Sequence, residues 1–139
     1  MSSVIWFVVA VLVVGLLMLL VLSAVSKHKS VVLDTEKYQV RWMDIETSLV
    51  KDDVASYKLS VMEADKLLDH AMNELGVQGN TMGDRLKGVG DMFKSTNSVW
   101  HAHKLRNQIV HEQDFCPSYD QSRRALVAFK QGLRDLGAI

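Results

Sequence analysis

The sequence contains one cysteine and one proline among its 139 residues, and its 16 basic side chains are balanced by 16 acidic ones. The single cysteine, Cys116, excludes an internal disulfide and suits a reducing compartment. A formal net charge of zero gives no sign of the broad basic surface typical of nucleic-acid-binding proteins, so any RNA contact has to be local. The scarcity of proline and of alternating β-branched residues after the first segment favours an all-α protein.

The longest stretch without a charged side chain lies at the start of the chain, where Val4 to Leu22 form an unbroken apolar run. About 20 apolar residues at a rise of about 1.5 Å each span the hydrocarbon core of a bilayer. A cleaved signal peptide is the alternative, but no Lys or Arg precedes the run and 22–24 is a poor cleavage site. We therefore predict a retained transmembrane anchor over 1–26, with Trp6 at the membrane interface.

Basic residues occur on one side of this run only. Lys27, His28 and Lys29 follow it directly, and nothing basic precedes it. The positive-inside rule therefore predicts a single-pass membrane protein with its N-terminus outside and its C-terminal domain in the cytoplasm.

A juxtamembrane helix is predicted over 27–50. One apolar stripe recurs there at steps of three and four residues, formed by Tyr38, Trp42, Ile45 and Leu49. The preferred interpretation is that the stripe covers part of the following domain. The alternative is a helix that self-associates or lies on the membrane surface.

Segment 51–139 has the pattern of a small bundle of four or five helices. Helix starts are indicated by Asp52 or Asp53, by Thr81 with Asp84, and by Ser118 with Gln121. The first of these helices carries a long core stripe, Val54, Tyr57, Val61, Ala64, Leu68, Ala71, Met72 and Leu75. The last carries another, Tyr119, Leu126, Phe129, Leu133 and Leu136. Between them, a short glycine-weakened helix is predicted to point Met82, Leu86, Val89 and Phe93 inward.

Aromatic, His, Arg and Asn side chains crowd into one predicted helix, Trp100 to Glu112. Within it, Arg106, Asn107 and His111 read R-N-x-x-x-H. This motif, late in a helical bundle, resembles the signature of the HEPN superfamily, and the resemblance covers 51–139. It implies a homodimer whose two motifs face each other across a cleft. It also implies metal-independent RNA cleavage, with Arg106 and His111 catalytic and Asn107 supporting, although many members of the superfamily are non-cleaving binding or scaffolding domains.

The helical wheel raises a question about Arg106. The side chain falls inside an apolar arc that is bordered by His103, so its charge has to be paired or has to face an interface. The carboxylate of Asp65 or Glu63 is a candidate partner, and His103 and Asp65 are candidate supporting residues. Asp65 lies at the edge of its own apolar stripe, and the preferred interpretation makes it a boundary residue. Contact with Arg106 is the alternative.

Arg106 and His111 are five positions apart, about 140° around a regular helix, and so should not share one face. Either the helix ends near Val110, or each residue acts with its counterpart from a second chain.

Other chemistry has weaker signals. His101, His103, His111 and Cys116 carry metal-ligating atoms, but the first two point about 160° apart on a helix and no established ligand spacing supports them. Neither a metal nor a small-molecule cofactor is predicted. Trp100 is interpreted as a packing residue, with stacking on an RNA base as the alternative.

Two hypotheses of different classes follow. The leading one is a membrane-anchored, HEPN-like, RNA-acting domain, in its sharpest form an endoribonuclease of the defence or toxin type. The alternative is a non-catalytic, membrane-tethered dimerisation or interaction domain. A nuclease requires His111 on an open cleft of phosphate size, whereas a scaffold would bury Arg106 in a carboxylate pair and leave His111 on ordinary surface. An accessory subunit within the bilayer ranks last, because Gly15 is the only small-residue feature of the span that would suit helix packing.

Overall fold

The computed structural model describes residues 2–25 and 31–139, and the described residues contain helices but no strand. The helices are α1 (Ser2–Val25), α2 (Thr35–Ser48), α3 (Val54–Glu74), α4 (Met82–Gly88), α5 (Thr96–His111) and α6 (Tyr119–Asp135), with a 3-10 turn at Gly90–Met92. The chain divides into two compact units, Met1–Val31 and Val32–Ile139. The predicted all-α class is confirmed, and the second unit is a bundle of five helices.

Helix α1 accounts for almost all of the first unit. Its segment Ser3–Val21 has 19 residues with a mean hydropathy of 3.2, and none of it is buried. The helix is long and apolar enough to span a membrane. Lys27, His28 and Lys29, on which the predicted orientation rests, lie outside the described residues.

Helix α2 belongs to the second unit and packs against α3. Tyr38, Trp42 and Ile45 are buried, so the preferred interpretation of this apolar stripe, as a cover for the bundle, is confirmed. The helix is shorter than the predicted segment because Asp34 caps its start, where the carboxylate accepts a hydrogen bond from the backbone N–H of Lys37 at 3.1 Å.

Helix α3 is the central element and packs against α2, α4, α5 and α6. Most of its predicted stripe is buried, but Val54 is 43% exposed because it occupies the first turn, just after the Asp53 cap. Helix α6 lies close to α3 at Gly132, where a Cβ atom would lie 3.0 Å from a methyl group of Leu68. A larger residue at Gly132 would therefore require the Leu68 side chain to shift.

The segment between α3 and α5 is irregular. Gly79 has a φ of +152°, and a Cβ atom there would lie 2.7 Å from the backbone nitrogen of Arg85, so only glycine fits this turn. Met82, Leu86, Val89 and Phe93 are buried as predicted. The predicted helix is interrupted after α4 because Gly90 adopts a φ of +52°.

The predicted cap of α6 is confirmed as a full capping box: the Ser118 hydroxyl accepts from the backbone N–H of Gln121, and the Gln121 side chain accepts from the backbone N–H of Ser118.

Helix α5 lies between α6 on one side and α3 with α4 on the other. The motif helix therefore borders two different depressions of the surface.

Candidate functional site

Helix α3 presents two carboxylates four residues apart, and each pairs with an arginine from another helix. Asp69 accepts a two-pronged bond from Arg85 of α4, with Nε–Oδ1 at 2.7 Å and Nη2–Oδ2 at 3.0 Å. One turn earlier, Asp65 pairs with Arg106 of α5, with Nε–Oδ2 at 3.4 Å. The two acids thereby tie α4 and α5 to the central helix.

The two ion pairs differ in geometry. The forked bond to Asp69 raises the pKa of Arg85, because the carboxylate stabilises the charged guanidinium. The Nε of Arg106 is buried and makes no hydrogen bond within the part of the chain that the structure describes, so its attraction to Asp65 is an ion pair without hydrogen-bond alignment. Arg106 is therefore the less tightly held of the two arginines.

Asp65 also binds a histidine. Its Oδ1 lies 2.7 Å from Nδ1 of His103, and the two residues are only 3% and 6% exposed. A buried carboxylate and a buried imidazole both require such partners, since an unsatisfied polar group in the core is costly.

Asn107 closes these contacts into a ring of four side chains. Its Oδ1 lies 3.0 Å from Nη1 of Arg106, and its Nδ2 lies 3.2 Å from Nε2 of His103. Because a guanidinium only donates, the Asn107 oxygen must face it, and the amide NH₂ then donates to Nε2. Nε2 therefore carries no proton, and Nδ1–H of His103 donates to Asp65.

The ring corrects the preferred interpretation of Asp65. This residue is not at a boundary; it is buried and contacts both Arg106 and His103. The alternative, contact with Arg106, is what the structure has. Glu63, the other carboxylate considered, is exposed and makes no ion pair among the described residues.

Arg106 and His111 line the same depression, a space of about 620 Å³ bounded by α3, α4 and α5. Helix α5 continues unbroken through Arg106 and ends at His111. Of the two arrangements predicted, a helix that ends near Val110 is the one found, because His111 is the last residue of α5. The long side chain of Arg106 reaches across to Asp65.

Both residues keep polar atoms available to a ligand. The Arg106 side chain is 33% exposed, and its Nη2 has no hydrogen-bond partner among the described residues. His111 is exposed, and within the same part of the chain its ring nitrogens have no partner. An anion entering the depression can therefore meet a guanidinium edge and an imidazole without first breaking a bond.

Charge in the depression favours an anion. Its two carboxylates, Asp65 and Asp69, are each neutralised by an arginine, and the exposed Lys66 adds a cation without an ion-pair partner among the described residues. Three cations thus face two carboxylates, which leaves a small local excess of positive charge on a chain of zero net charge.

The wall opposite the motif is formed by the start of α4. A Cβ atom added to Gly83 would lie 3.7 Å from the ring of Trp100 and 3.8 Å from Nε2 of His103. Trp100 meets His103 edge to face, with ring centroids 6.0 Å apart and the planes at 71°. Trp100 is partly buried against the core, in keeping with a packing role, but it also lines the depression.

A second depression, a groove of about 920 Å³, runs between α5 and α6. Asn107 and His111 line both depressions, so they form the ridge between them. Lys104 and Arg124 line the groove as well, and both are exposed.

The residues weighed as metal ligands do not converge. Among the described residues no three His, Cys, Asp or Glu side chains come together as a metal site would require. His101 lines the groove, whereas His103 is buried on the other side of α5, and Cys116 is exposed in the loop that follows.

Sequence reasoning named all four members of the ring but missed Asp69 and Arg85. The signal was available, since Asp65 and Asp69 lie one helical turn apart and must project from one face of α3.

No family model, curated protein or solved structure matches the chain. The HEPN resemblance therefore rests on the motif and its setting alone.

Proposed function

We propose that the chain is a membrane-anchored, HEPN-like domain that acts on RNA, with Arg106 and His111 as its catalytic residues. The observation that carries the proposal is their meeting on one open depression, each with unpartnered polar atoms. The depression lies within the range of about 300–1,000 Å³ over which proteins enclose small ligands, so a nucleotide fits it.

The chemistry needs no metal. His111 takes the proton of a ribose 2′-hydroxyl while the 2′-oxygen attacks phosphorus. The bond from phosphorus to the 5′-oxygen breaks, and that oxygen takes up a proton, which leaves a 2′,3′-cyclic phosphate and a 5′-hydroxyl. Arg106 stabilises the charge that develops on the phosphate oxygens.

One histidine cannot be base and acid in the same step. We therefore place the site in a homodimer, as the HEPN resemblance implies, so that His111 of a second copy supplies the proton to the leaving oxygen. Asp65, His103 and Asn107 act as positioning residues, because their ring fixes one edge of Arg106 and leaves the other edge free.

The membrane placement completes the proposal. Helix α1 has the length and hydropathy of a single span. Lys27 and Lys29 follow it, so the positive-inside rule puts the five-helix unit in the cytoplasm, where RNA is present, and the N-terminus outside.

A second candidate function is a non-catalytic, membrane-tethered interaction domain. The pairing of Arg106 with the buried Asp65 favours it, because a charge-balanced ring of side chains also serves to hold α5 on α3. In that case the motif stabilises the bundle or a dimer, and His111 has no chemical task.

One experiment separates the two candidates. The full chain in detergent is incubated with EDTA and mixed cellular RNA, or with DNA of matched length, and its mass is measured by light scattering. The RNA-acting proposal expects a dimer that cuts RNA to cyclic phosphate ends and leaves DNA, which lacks the 2′-hydroxyl, intact. A dimer that neither binds nor cuts RNA would favour the interaction domain.

A further inference from the structure

The groove between α5 and α6 is continuous with the proposed site. Asn107 and His111 form the ridge that separates it from the depression, so a strand whose phosphate lies at His111 in the depression can pass directly into the groove. From His111 back to Lys104 is seven residues of α5, a distance of about 10 Å.

The groove carries two exposed cations, one from each of its walls. Lys104 belongs to α5 and Arg124 to α6, and neither has a hydrogen bond or an ion pair among the described residues. One carboxylate, Glu112, lines the groove near the end of α5. Unpaired lysine and arginine on facing helices suit the phosphate backbone of a nucleic acid strand, since they attract it without reading its bases.

We infer that this groove is the track for the RNA strand that flanks the reacting phosphate, with Lys104 and Arg124 each contacting one backbone phosphate. The inference rests on the proposed function and adds a second contact region to it. It also explains how a chain of zero net charge can hold RNA: the two groove cations and the cations of the depression lie on the two sides of the ridge formed by Asn107 and His111.

The test uses the salt dependence of binding. Each neutralised phosphate of a single strand contributes about 0.7 to the slope of log K against log salt concentration. The full chain in detergent is titrated with a short fluorescent 2′-O-methyl RNA, which has no free 2′-hydroxyl and so is not cut, in EDTA across a series of salt concentrations. Replacing both cations, Lys104→Gln with Arg124→Gln, should lower the slope by about 1.4 and weaken binding most at low salt.

The chain offers a matched control. Arg123 is exposed, adjoins Arg124 and does not line the groove, so Arg123→Gln should leave the slope unchanged. The charge-preserving pair Lys104→Arg with Arg124→Lys should keep the parental slope. Circular dichroism and light scattering check that fold and mass are unaltered.

The outcomes separate this inference from the proposed function. If the parent binds RNA and the Gln pair keeps its slope, or Arg123→Gln lowers the slope equally, the track is wrong while the RNA site stands. If the Gln pair changes the oligomeric mass instead, the groove is an interface for a second copy. If the parent binds no RNA at all, both proposals fall.

Discussion

Nδ1 of His103 lies 2.7 Å from Oδ1 of Asp65, although 38 residues separate the two in sequence. It is one contact of the ring, whose hydrogen-bond order is set by the Arg106 guanidinium, because that group can only donate. Arg106 donates to Asn107, Asn107 donates to His103, and His103 donates to Asp65. Nε2 of His103 therefore accepts a hydrogen bond from the Asn107 amide, and Nδ1 is the ring nitrogen that donates.

The first prediction concerns the tautomer of that imidazole. Nitrogen-15 NMR at neutral pH should show the proton of His103 on Nδ1 and none on Nε2, because Nε2 faces the amide NH₂ of Asn107. Exposed His70, on α3, serves as a reference for an imidazole outside the ring. A proton found on Nε2 of His103 would show that the order of donors is wrong.

The second prediction concerns the contribution of Asp65 to the free energy of unfolding. Asp65→Ala should lower the free energy of unfolding by about 2–3 kcal/mol, because it leaves His103 and the buried Nε of Arg106 without their carboxylate. Glu63→Ala, an exposed position on the same helix, should stay within about 0.5 kcal/mol of the parent. If urea unfolding gave the same loss of stability for Asp65→Ala and Glu63→Ala, the contacts of Asp65 with His103 and Arg106 would not stabilise the bundle.

The third prediction uses the wall opposite the motif. Gly83→Ala should be tolerated, since its Cβ would lie 3.7 Å from Trp100 and 3.8 Å from His103, ordinary contact distances. Gly83→Phe should place an aromatic ring in the depression and weaken RNA binding while the helical content measured by circular dichroism is kept. Undiminished binding by the Phe variant would mean that RNA does not enter this depression.

The fourth prediction concerns the pKa of Asp84 and the stability of the start of α4 at low pH. A hydrogen bond from Thr81 lowers the pKa of Asp84 below its ordinary value of 3.8. A depressed pKa means that the ionised carboxylate stabilises the start of α4 above pH 3.8, and that this contribution is lost as the pH falls through the lowered value. Carbon-13 NMR titration should find the Asp84 midpoint below 3.8 in the parent and nearer 3.8 in Thr81→Ala. Identical Asp84 midpoints in the parent and in Thr81→Ala would show that Thr81 does not lower the pKa of Asp84.

Sequence patterns were sufficient for features that depend on neighbours along the chain. The caps at Asp53, Thr81 and Ser118 are local, and each occurs where its residue type predicts. The apolar stripe of α2 likewise identified its buried face. Such features need only helical geometry, because partners three or four residues apart meet on any helix.

The ring could not be derived in the same way. A helical wheel places Arg106 within an apolar arc, but it does not say which residue of another helix faces it. The sequence of α3 alone predicts a boundary position for Asp65, because this residue lies at the edge of that helix's apolar stripe. Its burial depends on α5 lying across α3, which is a property of the packed bundle.

The central claim is that His111, and not a buried histidine, performs the proton transfer. The most direct test compares cleavage rates of one RNA in EDTA by the parent chain, His111→Ala and His70→Ala. His70 is an exposed histidine outside the site, 44% exposed in its side chain, and pairs with Glu74. We expect His111→Ala to lower the rate by about 100-fold or more without loss of stability, and His70→Ala to keep the parental rate. A His111→Ala chain that cuts RNA as fast as the parent would contradict the central claim.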